Sequence, residues 1–370
     1  MHVLVTGGGG FICSFIVDEL IRRGHEVTIF DNLDPQIHPE GRPPEYLNAQ
    51  ARFIHGDVRD YDAFKSVIGD ADVIFHEAAT VGVGQSQYEI KKYVDVNVSG
   101  TANLLDILAN QKHRVQKMVV AASMSSYGEG LYKCPSCGPV RPDLRTESQM
   151  ANGDWEQRCP CCKVSIPYFP TPESAYQYPN SIYAQTKKDQ EDMVLNIGRT
   201  YDLPAVALRY FNAYGPRQSL SNPYTGVMAI FLSRLKNDNA PVIYEDGLQT
   251  RDFVSVHDIV QANMLAMENS KADYQSFNVA SGNPVSIREI AEVTAQLLGK
   301  EIAPDVTQKF RKGDIRHCIG DISKIQGQLG FEPKVLFEDG LKEIIEWSHD
   351  AEAKDRFEDA SRELRDKGLM

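Results

Sequence analysis

Over the first half of the chain the apolar positions follow two alternating rhythms. "HVLVTG", "EVTIFD", "ARFIHGD", "ADVIFHEAA" and "KMVVAAS" are short apolar runs that predict strands. Between them, "FIVDELIRRG", "YDAFKSVIG" and "VSGTANLLDILANQ" carry apolar residues at helical spacing, with Gly24 as a stop for the first. Strands alternating with helices imply a parallel sheet covered on both faces. The rhythm breaks over residues 130–179, a stretch rich in Cys, Pro and charge that reads as an insertion. It resumes with the helix "YAQTKKDQEDMVLNIGRTY" and the strand "AVALRYFN". From about residue 216 the elements shorten and mix, which suits a smaller substrate-facing region. Residues 350–370 are dense in charge and predict a solvated terminal helix. No internal repeat is visible.

Composition narrows the class. A chain of 370 residues with 42% hydrophobic content can bury a sizeable core, as one large α/β domain with an appended region or as two domains. No apolar run approaches the ~18 residues of a membrane helix. The chain opens directly on a strand, without a basic leader, so a cytoplasmic protein is expected. A net charge of −12 argues against nucleic acid or an anionic membrane as partner, while leaving room for an anionic ligand held by local arginines. Seven cysteines in such a chain read as thiols or metal ligands rather than disulfides.

"VTGGGGFIC" follows the first strand and opens the first helix, so Gly7 and Gly10 fit a dinucleotide fingerprint of a Rossmann-type, doubly wound α/β sheet. Glycine there allows a tight turn and lets a pyrophosphate approach the helix N-terminus. Asp31 ends the second strand. An acid at that place accepts bonds from a ribose hydroxyl and repels a 2′-phosphate, which favours NAD over NADP. The third fingerprint position is Cys13 rather than glycine. A small side chain is expected to fit there as a tolerated change, with an inert buried thiol.

Tyr183 and Lys187 form Y-x-x-x-K on a predicted helix, a spacing that puts both side chains on one face. An ammonium near a phenol favours the phenolate, and a tyrosine so tuned can take a proton from an alcohol. Ser123 ends the strand "KMVVAAS", at the carboxyl edge where ligands bind in open parallel sheets. Its hydroxyl can orient a substrate oxygen or relay a proton.

"TGGGGFI", "HEAA", "ASMSSYG", "YAQTK", "RYFNAYGPRQ" and "RDFVSVHDI" occur in an order that resembles the extended short-chain dehydrogenases/reductases, among them nucleotide-sugar epimerases and dehydratases. The resemblance spans roughly residues 1–345. "EGLYKCPSCG", "NPYTGVMAIF" and "KGDIRHC" are similar to the dTDP-L-rhamnose 4-epimerase group, with the UDP-glucose/UDP-galactose type as the alternative. It implies a Rossmann-type domain over residues 1–215 that carries the insertion, a mixed α/β substrate-binding region over 216–349, and the tail beyond. It implies catalysis by Ser123, Tyr183 and Lys187. NAD contacts are implied at Gly7, Gly10, Phe11, Ile12, Asp31, Asn32, Asp57, Val58, Ala78, Ala79, Asn97, Tyr183, Lys187 and Tyr210. Contacts to a dTDP- or UDP-linked sugar are implied at Ser125, Asn212, Thr225, Val227, Arg251, Arg311 and Asp314. A homodimer packed through the "VSGTANLLDILANQ" and Tyr183 helices is also implied. Glu77 departs from the pattern, because its position is often apolar. Related 4,6-dehydratases carry an Asp-Glu pair directly after the Ser/Thr, and related decarboxylases a glutamate two residues before the motif tyrosine. Here Met124 and Ser125 stand at those places, so plain redox at C4 remains.

Cys134 with Cys137 and Cys159 with Cys162 form two C-x-x-C pairs inside the insertion. Four thiolates saturate a tetrahedral Zn²⁺ and leave it no open position, so a structural zinc is expected, with Cys161 spare. Two readings of other classes fit the sequence less well. A non-enzymatic dinucleotide sensor would have lost the Tyr/Lys pair. A zinc-ribbon nucleic-acid binder would carry a basic, aromatic-rich face around the knuckles, which this sequence lacks.

Overall fold

The structure is a computed structural model that describes residues 1–224 and 226–369. Seven strands form its central sheet: β1 (His2–Thr6), β2 (Glu26–Asp31), β3 (Arg52–His55), β4 (Val73–His76), β5 (Lys117–Ser123), β6 (Ala205–Tyr210) and β7 (Gln275–Val279). Their order is β7-β6-β5-β4-β1-β2-β3, and every pairing is parallel. Strand order reverses beside β1, and at such a switch point a crevice opens at the carboxyl ends of the strands.

Helices cover both faces, as the alternating rhythm requires. α1 (Phe11–Arg22) packs with the long helix Val256–Glu268 on one side, burying Ile16, Val17 and Leu20 with Val3, Val5 and Val119. On the other side lie α2 (Tyr61–Ile68), α3 (Gly100–Asn110) and α4 (Ile182–Thr200), whose apolar faces bury Leu104, Leu108 and Val194 with Leu4, Ile74 and Val120. The predicted helix around α3 has a π-helical turn at Val94–Ser99 before it. A mixed region with its own core of Phe231, Ile243, Phe253, Ile290 and Ile344 follows beyond β6.

The insertion is a small three-stranded antiparallel unit, Leu131–Cys134, Gly138–Val140 and Tyr168–Phe169, with a short helix at Glu147–Ala151. Its core is small: Tyr132, Cys134, Cys159 and Ile166, with Val140 and Tyr168 packed against them. What fastens it is charge. Arg145 makes a two-pronged bond to Glu245 at 2.7 and 2.8 Å, both side chains buried. Arg316, itself fully buried, reaches Glu156 of the insertion and Glu245 and Asp246 of the mixed region.

The C-terminal tail differs from expectation. Its helix, α5 (Phe357–Asp366), buries Ala360, Ser361 and Leu364 instead of standing solvated. The Tyr224 hydroxyl donates to Glu363 at 2.5 Å, and the Lys312 N–H donates to the Leu369 carbonyl at 3.4 Å. Charge density hid a narrow stripe of small and apolar side chains, Ala360, Ser361 and Leu364, that is enough to dock the helix. Among the described residues, no helix is long and apolar enough to cross a membrane.

Candidate active site

A cavity of about 730 Å³ runs along the carboxyl edge of the sheet, from the glycine turn to the mixed region. At its first end Gly7 has φ +71°, and a Cβ there would stand 3.0 Å from the Ala78 Cα, so only glycine fits the turn. Gly10 caps α1 without a side-chain bond, and the first turn carries no acid. The N–H groups at Phe11 and Ile12 therefore keep the helix's positive end open to an anion. Asp31 takes the Gly9 N–H at 2.9 Å on one carboxylate oxygen and the Leu33 N–H at 2.8 Å on the other, so it also braces the turn. Asn32 donates to Asp57 at 2.9 Å. Burial would raise the Asp57 carboxyl, but the clasp of Arg59 outweighs it and holds the group at about 2. Ala78, Ala79 and Val58 line the same end.

Asn97 is placed differently from the expected cofactor contact. It is fully buried, takes the Thr80 N–H at 2.8 Å, and donates to the Thr80 carbonyl at 3.1 Å and the Thr186 hydroxyl at 2.9 Å. With every polar atom engaged, it ties the loop after β4 to α4 rather than facing the cavity. Cys13 is buried in the main core, and burial pushes its thiol well up, so it stays protonated.

Ser123, Tyr183 and Lys187 all line the cavity. β5 ends on Ser123, and α4 packs across that end with Ser181 as its N-cap. Ser123 Oγ accepts from the Ser125 hydroxyl at 2.9 Å and from the Ser125 N–H at 3.2 Å. Burial pushes the Tyr183 phenol up, and a hydrogen bond with Ser123 pulls it back down. Lys187 does not touch the phenol: its Nζ donates to the Ala121 carbonyl and to Gln190 Oε1, both at 2.8 Å. Burial lowers Lys187 to about 8 against the opposing pull of Glu77. Tyr210 lines the cavity, but its hydroxyl points inward to Glu77 and Asn263.

Ser125, Asn212, Val227, Arg251, Arg311 and Asp314 also line the cavity. Thr225 lies outside the described residues. The Asn212 Oδ1 is buried and among the described residues has no partner, an acceptor left ready for a ligand. Among the described residues Arg251 makes no ion pair. It donates to the carbonyls of Thr250, Ile315 and Arg316 at 2.8 to 3.0 Å. A buried guanidinium bonded to carbonyls keeps its full charge for an anion. Arg311 pairs with Asp314 at 2.8 Å and lies over the Tyr244 ring. Sequence patterns passed over Arg217 and the tail. Arg217 lines the cavity, bonded to Asp18 and stacked on Phe15, and Phe357, Ala360 and Leu364 complete its wall. The "GPRQ" motif contained Arg217, but nothing in the spacing pointed its side chain at the cleft.

In the insertion, the four sulfurs of Cys134, Cys137, Cys159 and Cys162 lie within 4.8 Å of one another. Sulfurs bound to one tetrahedral zinc at ~2.3 Å sit ~3.8 Å apart, so the set fits such an ion. Cys161 is outside the cluster.

A dinucleotide turn joined to Ser, Tyr and Lys at the strand ends defines a short-chain dehydrogenase/reductase. Two family models match in succession, "NAD dependent epimerase/dehydratase family" over residues 3–146 and "GDP-mannose 4,6 dehydratase" over 165–344. A dTDP-L-rhamnose 4-epimerase of Burkholderia thailandensis is 34% identical, covering 93% of this chain and 94% of that protein. A UDP-glucose 4-epimerase of Thermotoga maritima, solved with UDP-glucose, superposes with a TM-score of 0.77 at 31% identity, covering 94% of this chain and 99% of that one. A Thermus thermophilus UDP-glucose 4-epimerase in complex with NAD gives 0.75 at 28%, over 95% and 100%. The chain belongs to the NAD-dependent epimerase/dehydratase family and is an NAD-dependent nucleotide-sugar epimerase, an isomerase.

Proposed function

We propose that the protein is a nucleotide-sugar 4-epimerase working on a dTDP-linked 6-deoxyhexose of the rhamnose type, with a UDP-linked hexose as the second reading. The observation that carries it is Ser123, Tyr183 and Lys187 on one cavity wall, with Met124 and Ser125 where elimination or decarboxylation needs a carboxylate. The 34% identity to a dTDP-L-rhamnose 4-epimerase favours the rhamnose type.

The open glycine cradle, the bare N-terminus of α1 and Asp31 fit NAD, held by Gly7, Gly10, Phe11, Ile12 and Asp31. When bound, NAD⁺ accepts the C4 hydrogen of the sugar as hydride and gives it back. Tyr183 takes the proton of the C4 hydroxyl and returns it when the 4-keto sugar, turned over, is reduced on its other face. Ser123 holds the C4 oxygen against Tyr183. Lys187 supplies positive charge beneath the phenolate. Arg251 and Arg311 bind the diphosphate, and Asn212 Oδ1 accepts a hydrogen bond from the bound sugar nucleotide. Zn²⁺ in the Cys134, Cys137, Cys159 and Cys162 set holds the insertion together, and the working unit is a homodimer packed through α3 and α4.

Replacing Tyr183 by Phe tests this directly. Turnover falls by ~10²-fold or more, the scale for losing a positioned base, while NAD stays bound. Full activity in Tyr183→Phe would remove the assignment.

A further inference from the structure

The buried arginine of the insertion reaches further than its ion pair. The Arg145 side chain is fully buried, and its two Nη atoms bond the Glu245 carboxylate at 2.7 and 2.8 Å. Nη1 also donates to the Trp155 carbonyl of the insertion at 3.0 Å, and Nη2 to the Asp314 carbonyl at 3.1 Å. One guanidinium thus joins three segments: its own insertion, the stretch at Glu245, and the stretch at Asp314. Glu245 and Asp314 both line the cavity. The C4 reaction itself gives the insertion no task.

The two cavity segments that Arg145 grips are the two that hold Arg311. Arg311 has two supports: the Asp314 carboxylate, 2.8 Å from its Nε, and the Tyr244 ring, whose centroid is 4.8 Å from its guanidinium carbon. Arg145 holds the backbone of the first. It also holds the chain neighbour of the second, because Glu245 follows Tyr244 directly. Glu245 stands at φ +57°, a left-handed conformation that costs a non-glycine residue and persists only where its surroundings fix it. Those surroundings are visible. The Glu245 N–H donates to the Lys309 carbonyl at 2.7 Å, and its carboxylate takes Arg316 Nη1 at 3.0 Å besides Arg145. The same bonds fix the turn that presents the Tyr244 ring to Arg311.

We propose that Arg145 is a positioning residue of the diphosphate site: it holds Asp314 and Tyr244 in place, and acts on bound phosphate only through Arg311. The insertion is then part of the substrate wall rather than an appendage to it. This rests on the reading of Arg311 as a diphosphate ligand. The side chain suits the task. Its planar fork grips the Glu245 carboxylate with two parallel bonds and still has N–H groups for the Trp155 and Asp314 carbonyls. A lysine ammonium keeps the charge but lacks the fork, so it cannot reproduce that set of bonds.

The test is a double-mutant cycle read by titration calorimetry on the NAD-loaded enzyme, with dTDP or UDP as the probe, whichever binds the wild type more tightly. Arg145→Lys should weaken that nucleotide by about tenfold, the weight of one charged hydrogen bond, while the content of bound NAD stays unchanged. Arg311→Gln should weaken it by as much or more. In the double variant, Arg145→Lys should add nothing to Arg311→Gln, since its effect runs through the missing guanidinium. Glu245→Gln loosens the same grip from the other side, and takes the place of Arg145→Lys in the cycle should that variant not fold. A lowered melting temperature with nucleotide affinity unchanged, or a weakening that adds in full to that of Arg311→Gln, would make Arg145 a structural fastener and overturn the proposal. An Arg311→Gln protein that binds the nucleotide as tightly as wild type would remove Arg311 from the diphosphate site, and the proposal with it.

Discussion

Ser125 donates both its hydroxyl, at 2.9 Å, and its N–H, at 3.2 Å, to the oxygen of Ser123. With those two donors on its oxygen, the Ser123 hydroxyl has its own proton left to donate, and Ser123 pulls down the buried Tyr183 phenol. The two serines differ sharply in expected weight. Ser123→Ala should lower turnover by ~10²-fold, the scale of a lost group in proton transfer. Ser125→Ala should cost only a few-fold, because the backbone N–H still orients Ser123. Steady-state kinetics on both variants separates them, and equal losses would place Ser125 directly on the sugar.

Asp31 should govern cofactor choice and local stability together. It faces the ribose end of the cavity while accepting the N–H groups of Gly9 and Leu33. Asp31→Ala should relax the preference for NAD⁺ over NADP⁺. It should also lower thermal stability by about 1–3 kcal/mol, as expected when hydrogen bonds to a charged group are lost. Calorimetry and binding titrations check the two effects; equal wild-type affinity for both cofactors would count against the role.

His76 makes a pH prediction. It is buried between Thr6, 3.0 Å from Nδ1, and Thr101, 2.9 Å from Nε2. Thr101 already donates to the Asn97 carbonyl, so it accepts from Nε2, and Nδ1 accepts from Thr6. The site suits a neutral ring, and burial lowers its value from 6.5 to about 3. Between those two pH values the unfolded chain binds the proton and the folded one does not, so stability falls as pH drops. The loss relative to His76→Gln should be about 1.4 kcal/mol per pH unit. Glu77, raised from 4.5 to about 7, acts in the opposite sense, losing stability as pH rises through that range. Denaturant curves at several pH values should therefore be compared as wild type against variant. Parallel curves would contradict the neutral assignment.

The alternating rhythm of the first half made the parallel sheet legible, because period-3.6 and strand-like apolar runs alternate there without ambiguity. The glycine turn, Ser123, Tyr183 and Lys187 were legible for a related reason: the first three sit at the ends of elements whose direction the pattern sets, with Lys187 one turn further along α4. Asn97 was not, since the sequence could not show that Thr80 and Thr186 use up its amide. The tail misled because its charge count hides the narrow buried stripe of Ala360, Ser361 and Leu364. The Arg145, Glu156, Glu245 and Arg316 cluster joins positions up to about 170 residues apart, and no local spacing encodes it.

The cysteine cluster should hold one zinc per chain by elemental analysis of protein purified without chelator. Cys159→Ser should lose the metal and loosen the insertion, since that small core has little else to hold it, whereas Cys161→Ser should keep both. Metal-free wild type with an ordered insertion would show that the thiols suffice.

The most direct measurement is epimerisation in D₂O, with the ring carbons of substrate and product read by NMR. Oxidation and reduction at C4 alone, with Tyr183 moving only the hydroxyl proton, leaves every carbon-bound hydrogen out of contact with water. A dTDP- or UDP-linked hexose or 6-deoxyhexose should give its C4 epimer with no deuterium on any ring carbon. Deuterium at C3 or C5 would show enolisation of the keto sugar and contradict a simple 4-epimerase.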